Sequence, residues 1–205
     1  MADVVDVSKG LPANPERVTL EAKNKFTGFW FFLGGETILF ATFFGTYFGL
    51  RHGLADGPTS QEVFGLPLVF IMTMLLLFSS MTSVLAIFAM KKNEFTKFKI
   101  LMWITVLLGI GFVIGEVYEF NHYVHMDLGF ERSAFASSFY ALVGLHGCHV
   151  IFGLCWISCL LVRYNSTGIT LTNAPKFYLS ALYWHFIDVI WIFIFTVVYL
   201  LGVGG

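Results

Sequence analysis

The segment Phe177-Tyr178-Leu179-Ser180-Ala181-Leu182-Tyr183-Trp184-His185-Phe186-Ile187-Asp188-Val189-Ile190-Trp191 opens an apolar run that continues to Leu201. As a helix, the run from 177 to 201 is about 37 Å long, enough to cross a hydrocarbon core of roughly 30 Å. It carries an imidazole and a carboxylate in its middle. An aspartate at the centre of a spanning helix costs roughly 3 kcal/mol on insertion scales, so Asp188 must face protein or water and have a partner. The chain must therefore supply further helices for this one to pack against.

Composition extends that reading to the whole chain. Of its 205 residues, 57% are hydrophobic and only 12% charged, far from the roughly 25% charged content of soluble domains. This is an integral membrane protein with room for several spans and none for a separate soluble domain. The net charge of −1 and the lack of a basic stripe argue against polyanion binding. Cys148, Cys155 and Cys159 fall in one apolar stretch, where they act as small hydrophobes and say nothing of redox compartment. Residues 1 to 25 are polar and contain proline, and the apolar segment after them is too long for a signal core, so the first span is expected in the mature protein.

Five apolar stretches follow one another at roughly 26–50, 66–90, 100–123, 135–162 and 177–201. The expected fold is all-α, a membrane bundle of five transmembrane helices behind a tail of residues 1–25. An odd number of spans puts the termini on opposite faces. Lys9, Arg17, Lys23, Lys25, Lys91, Lys92, Lys97, Lys99, Arg163 and Lys176 lie on one side, and only Arg51 and Arg132 on the other. The positive-inside rule then places the N-terminus in the cytoplasm and the C-terminus outside. Gly45 with Gly49, and Gly111 with Gly115, have the small-xxx-small spacing that allows close helix approach, and Gly144, Gly147 and Gly153 crowd the fourth span. These glycines either lie at helix contacts or are ordinary membrane-helix residues.

The polar residues inside the spans are the candidate sites. Glu36 sits mid-way along the first span with no other charge between Lys25 and Arg51. It must be protonated or hydrogen-bonded, as a proton relay or lipid sensor or as a neutral carboxyl serving a neighbouring helix. In the third span Glu116, Glu119, His122 and His125 follow at steps of three, which turn by about −60° each, so the row spirals and forms no single four-ligand site. Glu119 and His122 have the Glu-x-x-His spacing of di-iron bundles, but no second such motif exists. His146 and His149, in the fourth span, have the chemistry of haem or copper ligands, yet histidines in such positions more often hydrogen-bond across helices. Asp188 shares a helix face with Trp184 and Trp191, and His185 is one step around, which suggests an interhelical polar clamp. No Ser or Cys has a base at a recognisable spacing, and there is no glycine-rich phosphate loop.

Together these blocks resemble subunit III of the haem-copper terminal oxidases, in the short five-helix Bacillus-type form of the cytochrome c oxidase subunit. The resemblance runs through most of the chain. It rests on Gly28-Phe29-Trp30 with Gly35-Glu36-Thr37, on Gly115-Glu116-Val117-Tyr118-Glu119, on Phe139 to Gly153 around His146-Gly147-Cys148-His149-Val150, and on Tyr183 to Trp191. The tail segment Asn14-Pro15-Glu16-Arg17-Val18-Thr19-Leu20-Glu21 is similar to that of the Gram-positive enzymes. Longer members of the family have seven helices, and the first two have no counterpart here.

The resemblance implies a non-catalytic subunit of a proton-pumping oxidase in the bacterial cell membrane. It would sit beside subunit I, which holds the haems and copper where oxygen is reduced to water, with subunit II and a small subunit IV in the same complex. The chain itself would hold no metal or redox centre; it would stabilise subunit I, support proton uptake and bind phospholipid. Glu36 matches the family's buried carboxylate near subunit I, and Arg163 matches a position that meets lipid phosphate. Glu116, Glu119, His146, His149, His185 and Asp188 fall in the polar cluster that links helices. A quinol oxidase subunit III shares the Trp-His-Phe-x-Asp block and is the nearest alternative; a free-standing proton-coupled transporter is a more distant one, disfavoured by the absence of broken helices or a repeat.

Overall fold

The computed structural model describes residues 19–54, 64–126 and 128–204. The tail charges Lys9 and Arg17 and the segment 14–18 lie outside the described residues. Five long helices follow in order: α1 (Leu20–Leu50), α2 (Leu66–Lys91), α3 (Phe95–His125), α4 (Ala134–Arg163) and α5 (Ala174–Ile194). The last continues through a wider π-helical turn, Phe195–Leu200, into a final α turn, Leu201–Gly204. All five spans are long and apolar enough to cross a membrane, and no strand occurs among the described residues.

Hydropathy alone places several helix starts too late, because capping chemistry extends helices into polar ground. α1 begins at Leu20 and not near 26: the Thr19 side chain accepts from the Ala22 N–H at 3.0 Å, and Lys25 pairs with Glu21 one turn away. Residues 20 to 25, read as tail, are therefore helical. α3 begins at Phe95, before the expected 100, with Lys97 paired to Glu94 at 2.8 Å. Asn93 makes the tight α2–α3 turn at φ 60°, a left-handed conformation that asparagine tolerates better than most residues. Ser133 caps α4 by accepting from the Ala136 N–H at 3.1 Å.

Ring contacts fix the up-and-down topology. At one end, Phe64 before α2 meets Tyr123 of α3 at 5.8 Å, Phe135 of α4 at 6.1 Å and Tyr199 near the chain's end at 4.9 Å. Tyr47 of α1 joins the same group through Phe135 at 6.3 Å. Leu128 lies in this end of the bundle. At the opposite end, next to Asn93, Phe98 meets Phe177 at 4.8 Å and the Lys99 ammonium donates to Asn165 at 2.9 Å. α1 thus starts at the Asn93 end and the chain finishes at the Leu128 end, so the start of the first span and the end of the last lie at opposite ends of the bundle.

α5 lies between α2 and α4; α3 closes the bundle against α2 and α4, and α1 leans on α4 and α5. Glycines decide where backbones approach. A Cβ on Gly115 would lie 2.9 Å from Met72, and one on Gly109 would lie 2.7 Å from the Trp184 ring and from Leu154. Gly153 of α4 lies against the same indole, which would stand 3.2 Å from a Cβ there. Trp184 therefore occupies a glycine-walled slot, tightest at Gly109, where a Cβ would overlap the ring. Gly45 and Gly49 behave differently: nothing lies within 4 Å of where a Cβ on either would stand, so the small-residue spacing in α1 marks no close contact among the described residues. The exterior carries many large apolar side chains, with Phe31, Ile38, Ile71, Phe78, Leu107 and Phe193 all exposed. That distribution suits lipid, which offers apolar surfaces no penalty and backbone groups no partner.

Candidate functional site

Glu36 and His149 meet across the α1–α4 contact. His149 Nε2 lies 3.0 Å from Glu36 Oε2, with the two side chains 16% and 17% exposed. The other ring nitrogen, Nδ1, is 2.7 Å from the Leu145 carbonyl, which can only accept, so Nδ1 carries a hydrogen. Two arrangements then satisfy the Nε2 contact: a protonated Glu36 donating to a neutral imidazole, or an imidazolium donating to a carboxylate. Both contain one proton in that bond and both are neutral overall. Phe40 packs on the imidazole with centroids 5.0 Å apart, and the Tyr183 hydroxyl donates to the His149 carbonyl at 3.3 Å, which ties α5 to the same place.

Asp188 lies on a different seam. Its Oδ2 accepts from the Ser80 hydroxyl of α2 at 2.7 Å. The Trp184 indole N–H donates to Ser79 Oγ at 2.9 Å and the Trp191 N–H to Thr73 Oγ1 at 3.0 Å. The shared face of Trp184, Asp188 and Trp191 is thus stitched to α2 at three levels. Sequence reading named the α5 members and missed Thr73, Ser79 and Ser80. The hydroxyl run Ser79-Ser80-Met81-Thr82-Ser83 inside an otherwise apolar span was the available signal, since such side chains serve as glue between membrane helices.

Glu119 occupies a third place, near the Leu128 end, where its Oε1 accepts from Tyr123 at 2.5 Å and its Oε2 from Tyr199 at 2.9 Å. Both oxygens are used by phenols, while His122 and His125 are exposed, so the Glu-x-x-His spacing brings no two ligands together. Glu116 points at Gly147, whose missing Cβ would lie within 2.5–2.8 Å of the carboxyl group. His146 is fully buried; it stacks on Trp191 at 5.2 Å and meets the edge of Phe112 at 5.8 Å. His185 is half-buried on α5, one turn from Asp188. The polar residues grouped from sequence as one cluster are therefore several separate contacts: Glu36–His149, Asp188–Ser80, Glu119 with two tyrosines, and the Glu116 and His146 side chains in the core.

Arg163 ends α4 in an exposed position, its guanidinium 6.0 Å from the Tyr164 ring. The Lys176 ammonium donates to the Tyr164 hydroxyl at 2.6 Å. Hydrogen bonds from Lys176 and Arg163 hold the Tyr164 phenol below its ordinary ionisation range. This basic, aromatic corner lies at the Asn93 end of the bundle.

A sequence model of the cytochrome c oxidase subunit III family matches residues 17–203. The chain belongs to that family. It is 71% identical to cytochrome c oxidase subunit 3 of Alkalihalophilus pseudofirmus over the full length of both chains. It is 60% identical to the subunit of the same name from Bacillus sp. strain PS3, covering 95% of this chain and 94% of that one. Quinol oxidase subunit 3 of Bacillus subtilis is 48% identical over 87% of each chain. This subunit III is a multi-pass protein of the bacterial plasma membrane and a component of a haem-copper terminal oxidase, an oxidoreductase complex.

Proposed function

We propose that this subunit III serves an oxidase that takes electrons from cytochrome c, that it carries no redox centre of its own, and that Glu36 supports proton uptake by subunit I. The observation that carries the last point is the Glu36–His149 bond, which holds one proton whichever partner bears it. A pair that stays neutral can sit in a membrane without an uncompensated charge and still pass a proton on. Its partial exposure on α1 leaves it open toward a neighbouring subunit.

The higher identity to the cytochrome c oxidase subunits than to the quinol oxidase subunit supports cytochrome c as donor. The packing supports placing haem and copper on the partner subunits. His146 is fully buried against Trp191 and Phe112, and both His149 nitrogens are engaged within the chain. Subunits I and II, and a small fourth subunit, are the partners in this reading. The lysine- and arginine-rich Asn93 end faces the cytoplasm, where Arg163 would meet a phospholipid headgroup.

The test is the assembled oxidase carrying Glu36→Ala or Glu36→Gln. Both variants should assemble, with slower turnover-linked proton uptake or a shorter catalytic lifetime; unchanged uptake and lifetime would refute the role of Glu36. Turnover with reduced cytochrome c, but not with quinol, checks the donor. Retention of the whole haem and copper spectrum after this subunit is stripped off checks where the redox centres lie.

A further inference from the structure

The interior holds a second set of polar groups, separate from the Glu36–His149 pair. Counted along their helices from the Leu128 end at 1.5 Å per residue, Glu119 lies at a depth of about 9 Å, Glu116 about 14 Å, His146 about 18 Å, Asp188 about 22 Å and Ser83 about 25 Å. These groups come from α2, α3, α4 and α5, and direct contacts connect the middle of the series. Trp191, one turn beyond Asp188, stacks on His146; Phe112, one turn before Glu116, meets both rings.

Four of these five residues have buried polar atoms with no hydrogen-bond partner among the described residues: Glu116 Oε1, both nitrogens of His146, Asp188 Oδ1 and Ser83 Oγ. His146 is 0% exposed and Glu116 4% exposed. An imidazole has a donor or acceptor at each nitrogen in every protonation state, and a carboxyl oxygen always accepts, so these atoms call for a ligand that can both donate and accept. The missing side chain of Gly147, next to His146 in sequence, is what admits the Glu116 carboxyl against α4: a Cβ there would lie 2.5–2.8 Å from it. One imidazole and one carboxylate at this level are too few for a metal, and no group of three metal-ligating side chains occurs among the described residues.

We propose that Glu116 and His146 bind internal water and hold an exchangeable proton, making a second proton-holding site in the core of the subunit. Buried polar atoms that lack a protein partner are where internal water is found, and a water between an imidazole and a carboxyl can pass a proton either way. The titratable groups around it are Glu119 and Tyr123 on α3, Asp188 on α5 with Tyr199 beyond it, and His149 on α4, behind which stands Glu36 of α1; α2 contributes only hydroxyls, among them Thr73 and Ser79. Glu119 is held by its two phenols, so the free member of the row is Glu116.

The test uses the intact oxidase and no activity measurement, so its result is independent of the donor and of the role of Glu36. A cryo-electron microscopy reconstruction that resolves ordered solvent should show water within hydrogen-bonding distance of Glu116 Oε1 and a His146 nitrogen. Dry density there, or a lipid or partner side chain on those atoms, overturns the proposal. In infrared spectra on exchange from H2O to D2O, Glu116→Gln should lose one deuterium-sensitive protonated-carboxyl band, and Glu36→Gln should leave that band in place. Superimposable spectra of wild type and Glu116→Gln overturn the proton-holding part. The reconstruction of the wild type decides the water site even where a variant fails to assemble.

Discussion

Gly109→Ala and Gly45→Ala differ by one methyl group each, yet they should act in opposite directions. At Gly109 the new carbon would lie 2.7 Å from Leu154 Cδ2 and 2.7 and 2.9 Å from two atoms of the Trp184 ring. Trp184 is rigid, is held by Ser79 through its indole N–H, and also lies against Gly153. Overpacking a filled site costs about 1–3 kcal/mol, and with an immovable ring the upper part of that range applies, about 2–3 kcal/mol. Alanine's greater helix preference offsets about 1 kcal/mol, leaving a net loss of about 1–2 kcal/mol. For a chain of this size that corresponds to a midpoint lower by roughly 2–8 °C. At Gly45 nothing among the described residues lies within 4 Å of where the new carbon would stand, so only the helix preference acts and the isolated chain should be unchanged or up to about 1 kcal/mol more stable. The assay is unfolding of the detergent-purified chain by heat or by SDS, followed through fluorescence of its five tryptophans. Equal losses in the two variants, or no loss in Gly109→Ala, would refute the reading of Trp184 as seated in a glycine-walled slot.

Three further outcomes are expected. A double-mutant cycle between Ser80→Ala and Asp188→Asn should show coupling of about 0.6 kcal/mol and no more than about 1.7 kcal/mol; additive effects would mean that the 2.7 Å contact does not stabilise the α2–α5 seam. Tyr199→Phe should lower stability by about 1–3 kcal/mol by leaving Glu119 Oε2 without a donor, and Glu119→Leu should make Tyr199→Phe nearly silent; an undiminished Tyr199→Phe effect in that background counts against the bond. Lys176→Met removes the ammonium that stabilises the Tyr164 phenolate, so the midpoint followed by phenolate absorbance should rise toward the ordinary value near about 10; a midpoint that stays put or falls refutes the contact.

Hydropathy and charge, properties of the chain read in order, determined the class of this protein. Continuous apolar runs of more than about 20 residues cross a bilayer as helices, which satisfy every backbone group within one segment where lipid offers no hydrogen-bond partner; barrel strands are about half as long and alternate. Their number, and the motifs around Glu36, Glu116, His146 and Trp184, were sufficient for the family. Helix starts were less legible, since caps such as Thr19 and ion pairs such as Glu94–Lys97 extend helices beyond the apolar run. The partners of the buried polar groups were not legible at all. Glu116 and Glu119 stand three residues apart on one helix, yet one has two tyrosine donors and the other faces a glycine. His146 and His149 are likewise one turn apart, and only His149 meets a carboxylate. Gly45 and Gly109 look equally suited to helix contact, and only Gly109 has a neighbour close enough to need it. Which helix faces which side chain depends on the rotation and neighbour order of the five helices. Those are set by packing between segments far apart in the chain, so they were decided only by the tertiary structure.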